Sequence, residues 1–255
     1  MKGRGIKGEG LVNSLIKVCL SHQLWVIIGK YRLCGGRVVS WFYYVGRLLM
    51  RLLLLLLTRW RVRGRDNIPG QGPLLIVANH LNLADPPLLG VSLSRKVIFM
   101  AKEELFRSPF SSYFVRSFGA FPVHRGQLDR EALRQAKRVL ADGLALVMFP
   151  EATRSKDAQL QPAFSGSALI ALRSGAPILP VGITGTEKIK GVAWILRRPV
   201  ITVNIGHPFY LPSVNSRLTK VKMAELTNFI MVRIADLLPP EYRGNYGQEI
   251  RCHEN

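Results

Sequence analysis

The residues best suited to chemistry in this sequence are His80 and Asp85. They lie in LLIVANHLNLADPPLL, where an apolar run ends at Asn79-His80 and the acid follows five positions later, before Pro86-Pro87. On a regular helix that spacing turns the two side chains about 140° apart, so a loop must bring them together. Pro86 disfavours a helical residue before it and suits the first helical position, which predicts Asp85 as the N-cap of a helix with His80 in the turn ahead. One carboxylate oxygen then takes the Leu88 amide and the other the imidazole. A carboxylate behind a histidine fixes its tautomer and stabilises the imidazolium, leaving the far nitrogen as a general base for an alcohol, an effect of about 10²–10⁴ in rate. A second pair, His124 and Asp129 in HRGQLD, has the same spacing. There Asp129 is explained by a helix start at Arg130 and no proline holds the histidine, so His80 is the preferred base.

A base acting on an alcohol needs an acyl carbon with a good leaving group. No Gly-x-Ser-x-Gly elbow is present and neither Cys19 nor Cys34 has a catalytic setting, so a covalent acyl-enzyme is not indicated. The backbone amides near Pro150 to Ala152 and in the turn at Leu81 are candidate oxyanion donors. A second loop, LALVMFPEATRS, carries Glu151 and Arg154 after another apolar run, and Lys102 and Arg125 end KVIFMAK and GAFPVHR. Arg binds phosphate in a bidentate fashion and Lys as a point charge, so cations at three such ends read as a phosphate site. No His or Cys cluster has metal-ligand spacing, and no metal or cofactor is expected.

These loops need a scaffold. GPLLIVAN (72–79), KVIFMAK (96–102), GAFPVHR (119–125), LALVMF (144–149), APILPVGIT (176–184) and PVITVNIG (199–206) have strand length and composition. Helical patterns fill several gaps, clearest in 128–142, 164–175 and 217–238. Continuous apolar strands alternating with helices predict an α/β layered domain, its largely parallel sheet flanked by helices. Sites in such sheets form at the carboxyl ends of the strands, where all the residues named above fall.

The 255 residues carry a net charge of +20, with 48% apolar side chains, which excludes general disorder. Residues 1–65 hold thirteen Lys or Arg against one acid, Glu9, and are also the most apolar quarter. That quarter differs from a polar basic tail, and no nucleic-acid-binding motif accompanies it. Two apolar stretches, 11–29 and 38–58, flank Cys34-Gly35-Gly36, and each is interrupted by charge. Arg47 and Arg51 share a helical face from which they snorkel while the leucines enter lipid. Residues 1–65 therefore read as a basic, membrane-anchoring helical hairpin and 66–255 as the catalytic domain. A hairpin buried in a core and a spanning helix pair stay open as alternatives. The three cysteines cannot frame a disulfide scaffold and suit a reducing compartment.

Asn79-His80-x4-Asp85-Pro86, Lys102-Glu103-Glu104-Leu105 through Gly119 and Phe121 to Arg125, Phe149-Pro150-Glu151-Ala152-Thr153-Arg154-Ser155 and Ala176-Pro177-Ile178-Leu179-Pro180-Val181 resemble the four ordered motifs of the PlsC-type glycerolipid acyltransferases. Within that family the chain is most similar to the 1-acyl-sn-glycerol-3-phosphate acyltransferases. The resemblance implies acyl transfer from a coenzyme A or acyl carrier protein thioester to lysophosphatidic acid at a membrane, giving phosphatidic acid. It implies His80 as base, Asp85 as its partner, Lys102, Arg125 and Arg154 as phosphate binders, and Glu151 and Thr153 as shaping the acceptor site. Another lysolipid or glycerol-3-phosphate is the alternative acceptor, and a non-catalytic basic membrane-binding protein is the rival of another class. Two positions depart from the pattern: Ala152 replaces a usual Gly, and Ser165 follows Phe164 where a base is common.

Overall fold

The computed structural model describes residues 41–117, 119–124, 129–212 and 218–247. Its centre is a seven-stranded sheet in the order β1-β7-β6-β2-β5-β3-β4. The strands are β1 (Arg59–Arg63), β2 (Leu74–Ala78), β3 (Val97–Lys102), β4 (Ala120–Val123), β5 (Ala145–Met148), β6 (Ile178–Thr184) and β7 (Val200–Ile205). From β6 to β4 every neighbouring pair is parallel, whereas β7 runs antiparallel to β6 and carries β1 parallel to itself. The largely parallel sheet expected from sequence is therefore present, with two reversed strands at one edge.

Side-chain alternation along the strands builds two cores. On one face Leu75, Val77 and Leu146 pack with Ala132, Ala136 and Leu140 of α4 (Arg130–Ala141), Ala168 and Ala171 of α5 (Gly166–Ser174), and Ile230 and Ile234 of α7 (Lys220–Ala235). On the other, Leu74, Ile76, Ala78 and Val147 meet Leu88 and Leu89 of α2 (Asp85–Ser92) and Leu54 of α1 (Trp41–Leu57). All five residues of β2 are buried, as a central parallel strand covered on both faces requires. Two short helices, α3 (Pro109–Ser117) and α6 (Trp194–Arg197), lie in the β3–β4 and β6–β7 connections.

Two expectations change. Arg59–Arg63 falls in the segment assigned to anchoring, yet RWRVR is an edge strand paired with β7. Trp60 and Val62 pack against the second core while the arginines between them stay exposed, so alternation turned a basic run into a charged sheet edge. The sheet domain thus begins before residue 66. Within the stretch 38–58, Trp41–Leu57 form the 17-residue α1, and no described helix is long and apolar enough to cross a membrane. Met50 and Leu54 of α1 face the second core, and Arg47 donates to the Leu93 carbonyl. Leu48, Leu49, Leu52, Leu53, Leu55 and Leu56 remain exposed. The expected first helix and the turn at Cys34 lie outside the described residues.

Candidate active site

β2 delivers Asn79 and His80 to the carboxyl edge of the sheet. Asn79 is buried, and its side-chain amide donates to the Ile183 carbonyl at 2.9 Å while its oxygen accepts from the Ile183 amide at 2.7 Å. The side chain imitates one more backbone pairing and holds the end of β2 to β6. Beyond it the chain leaves the sheet, and His80 lies 2.8 Å by Nδ1 from Oδ2 of Asp85. The same oxygen accepts from the Leu81 and Asn82 amides, each at 2.7 Å. The pair predicted from sequence is formed, but by a different local geometry. Asp85 is the first helical residue rather than the N-cap, which is Ala84. The Leu88 amide goes to the Ala84 carbonyl. Asp85 therefore turns its carboxylate back over the loop, since Pro86 and Pro87 present no amides to draw it forward. The Leu81 amide, a candidate oxyanion donor, is consumed by this carboxylate.

Around the pair, Phe149 stacks on the imidazole with 4.2 Å between ring centroids and 20° between planes. Nδ1 is committed to Asp85, and Nε2 has no hydrogen-bond partner among the described residues. The His124–Asp129 pair makes a useful contrast, because it also forms, at 2.9 Å. Proline was not needed there: Asp129 caps α4 through the Glu131 and Ala132 amides and is thereby oriented toward His124. The Nε2 of His124, however, is paired with Glu103. Asp129 and Glu103 together raise its pKa above the ordinary value. An imidazole held between two carboxylates has no nitrogen left to take a proton from an alcohol.

The loop after β5 braces the site from behind. Glu151, expected to shape the acceptor site, is 1% exposed and turned inward. One of its oxygens accepts from the His80 amide and the other from the Gln161 amide, each at 2.9 Å. The Ser155 amide donates to the His80 carbonyl at 2.8 Å. Glu151 and Ser155 thus grip the peptide on both sides of the histidine. Gln161 was not singled out from sequence, and its backbone contact leaves no signature in residue type. Burial pushes the Glu151 carboxyl up to about 7; the two amide bonds oppose that, and the charges of Asp85 and Asp157 add to it. Pro150 is buried in this turn and its carbonyl accepts from the Phe164 amide. Pro180 lies opposite Val77 in β6 and accepts from the Gly206 amide.

The cations are arranged more loosely. Lys102 ends β3, two strands from β2 in the sheet order, which corresponds to roughly 10 Å along the edge. Its ammonium pairs with Glu104 at 2.8 Å, both side chains about half exposed. Arg154 and Thr153 are exposed in the loop after β5, and the Thr153 hydroxyl makes only a 3.5 Å contact to the Glu151 carbonyl. Arg125 lies outside the described residues. No hydrogen bond or ion pair among the described residues joins Lys102 or Arg154 to His80; what they share is the edge of the sheet. Ala152 has φ +56°, a left-handed conformation that explains why glycine is usual at this position.

A family model described as Acyltransferase matches residues 59–184, from β1 to the end of β6. The chloroplastic 1-acyl-sn-glycerol-3-phosphate acyltransferase of Brassica napus is 26% identical over 80% of this chain and 59% of its own length. The 1-acyl-sn-glycerol-3-phosphate acyltransferase of Streptococcus pneumoniae is 32% identical over 68% of this chain and 64% of its own. The chain thus spans about three fifths of these two curated relatives. The crystal structure of the 1-acyl-sn-glycerophosphate acyltransferase PlsC from Thermotoga maritima superposes with a TM-score of 0.60 at 25% identity, covering 87% of this chain and 93% of that one.

Glu151 makes stability depend on pH. Its folded pKa is raised to about 7 from an ordinary 4.5, so the folded state holds an extra proton between those values and loses stability as pH rises through them. In Glu151→Gln this slope disappears. The wild type should lose on the order of 3 kcal/mol relative to the variant between the two pKa values, read from denaturant midpoints across that range; parallel pH profiles would contradict the raised pKa. Ala152→Gly should raise stability by up to about 1 kcal/mol by relieving the left-handed alanine, measured by thermal unfolding.

Proposed function

We propose that this chain, which belongs to the PlsC-type family of acyltransferases, moves a fatty acyl group from a coenzyme A or acyl carrier protein thioester to the free hydroxyl of 1-acyl-sn-glycerol-3-phosphate, yielding phosphatidic acid. The observation that carries the reading is the His80–Asp85 pair at 2.8 Å with its second ring nitrogen uncommitted among the described residues. Asp85 holds the proton of the imidazole on Nδ1, so Nε2 is the basic nitrogen. As the acceptor oxygen attacks the thioester carbon, Nε2 takes its proton, the tetrahedral intermediate collapses, and the thiolate leaves. A thiolate is a good enough leaving group that no serine or cysteine nucleophile is required.

Lys102 and Arg154 supply positive charge toward the acceptor phosphate from one edge of the sheet, and Arg125, outside the described residues, is kept as a third phosphate binder on the sequence resemblance alone. The exposed leucines of α1 support an interfacial role for the N-terminal segment, with both apolar-tailed substrates reaching the site from the bilayer and the catalytic domain on its cytoplasmic face. The interior position of Glu151 recasts its role as bracing His80 from behind rather than lining the acceptor site.

Thiol release from acyl-coenzyme A in the presence of lysophosphatidic acid should fall by at least about 10² in His80→Ala and stay near wild type in His124→Ala. The opposite pattern would assign the base to the wrong histidine, and unchanged turnover in both would favour a non-catalytic membrane-binding protein. Lys102→Ala and Arg154→Ala should raise the apparent KM for the acceptor more than for the donor, measured by varying each substrate separately; an effect confined to the donor would remove these residues from the phosphate site.

A further inference from the structure

The β6–β7 connection is the other place where positive charge collects. Gly185 (φ +89°) turns the chain at the end of β6, and a Cβ there would sit 2.0 Å from the Val200 carbonyl oxygen, so β6 and β7 close tightly. The residues between them, with Arg59 from the start of β1, line a cleft of about 490 Å³ that contains Arg59, Lys188, Lys190, Arg197 and Arg198 around Trp194. No acid lines it. Glu187, the one acid between Gly185 and Pro199, instead accepts from the Tyr242 hydroxyl at 2.8 Å. Among the described residues none of the five cations makes an ion pair; Arg198 donates to the Leu55 carbonyl near the end of α1. Five like charges around one cleft repel one another unless an anion is present.

The rim is apolar where a soluble anion would not require it. Leu196 is 90% exposed and Val192 78%. The Arg198–Leu55 bond joins this rim to the leucine-rich α1, with Leu55 and Leu56 exposed. Asn82, in the loop between His80 and Asp85, donates to the Ile189 carbonyl at 3.2 Å, so the connection is fastened to the catalytic loop. Unpaired cations next in sequence to exposed aliphatic side chains match a bilayer surface, where phosphates and acyl chains are met together.

We propose that the β6–β7 connection is a second membrane contact, separate from α1, whose cleft holds the phosphate of an acidic phospholipid headgroup while Val192 and Leu196 enter the acyl boundary. Through Asn82 this contact presents the His80 loop to the bilayer. The proposal rests on the interfacial reading of α1 given above but not on the identity of the base. The test is flotation of the full chain with phosphatidylcholine vesicles with and without phosphatidylglycerol. Lys188→Ala/Lys190→Ala/Arg197→Ala should reduce the preference for acidic vesicles, about fivefold per cation and on the order of a hundredfold together, while binding neutral vesicles as the wild type does. The triple variant should turn over detergent-dispersed substrates normally. Lys188→Arg/Lys190→Arg should retain the preference, and Leu196→Asp should weaken binding to both vesicles. His80→Ala should bind like wild type, so a failed acyl-transfer reading leaves this result standing. The proposal is overturned if the triple variant keeps the preference, if the wild type has none, or if free coenzyme A or acyl carrier protein displaces the protein from acidic vesicles. A raised donor KM for the triple variant in detergent would likewise reassign the cleft to the thioester donor.

Discussion

One carboxylate oxygen organises the catalytic loop. Oδ2 of Asp85 accepts from the imidazole and from two successive backbone amides, at 2.7–2.8 Å throughout. Asp85 is fully buried, and a buried carboxylate persists only where hydrogen bonds replace its water. The three donors do so at Oδ2, while Oδ1 is buried with no partner among the described residues, and they fix the path of the chain from His80 to Asn82. The imidazole of His80, proposed as the general base, and the backbone that carries it are therefore set by the same interaction. Glu151 repeats the device from the opposite side, spending both oxygens on backbone amides so that the histidine is clasped between two buried acids.

The two histidine–aspartate pairs differ in what is left at the second ring nitrogen. Both have five-residue spacing and nearly equal Nδ1–Oδ2 distances. His80 is buried against Phe149, with Nε2 uncommitted among the described residues. His124 is half exposed, and its second nitrogen is taken by Glu103. The far nitrogen is what a base would use, and for His124 it is taken by Glu103, in the turn after β3.

The sheet topology accounts for why these loops can cooperate. Five adjacent parallel strands end at one edge, so the loops after β2, β5, β3 and β6 are neighbours there. The two reversed strands bring the start of β1 and of β7 to that same edge. This places the end of α1 on the same edge as the histidine and the basic β6–β7 connection against its loop through Asn82. A wholly parallel sheet would have sent Arg59 to the opposite edge.

Local physics was legible from residue order. Six apolar runs of strand length became six strands, the helices at 128–142, 164–175 and 217–238 appeared with small shifts at their ends, and the loop-held pairing of His80 with Asp85 was readable because spacing excluded a helix and proline stiffened the turn. Contacts between distant segments were not legible. RWRVR became a strand because β7 offered an open edge, Glu151 turned inward because the amides of His80 and Gln161 waited there, and the second nitrogen of His124 was taken by a residue of another loop. Periodicity and turn chemistry act over a few residues and are written in the chain itself, whereas the partner of a buried carboxylate or a sheet edge exists only after the strands have been brought together.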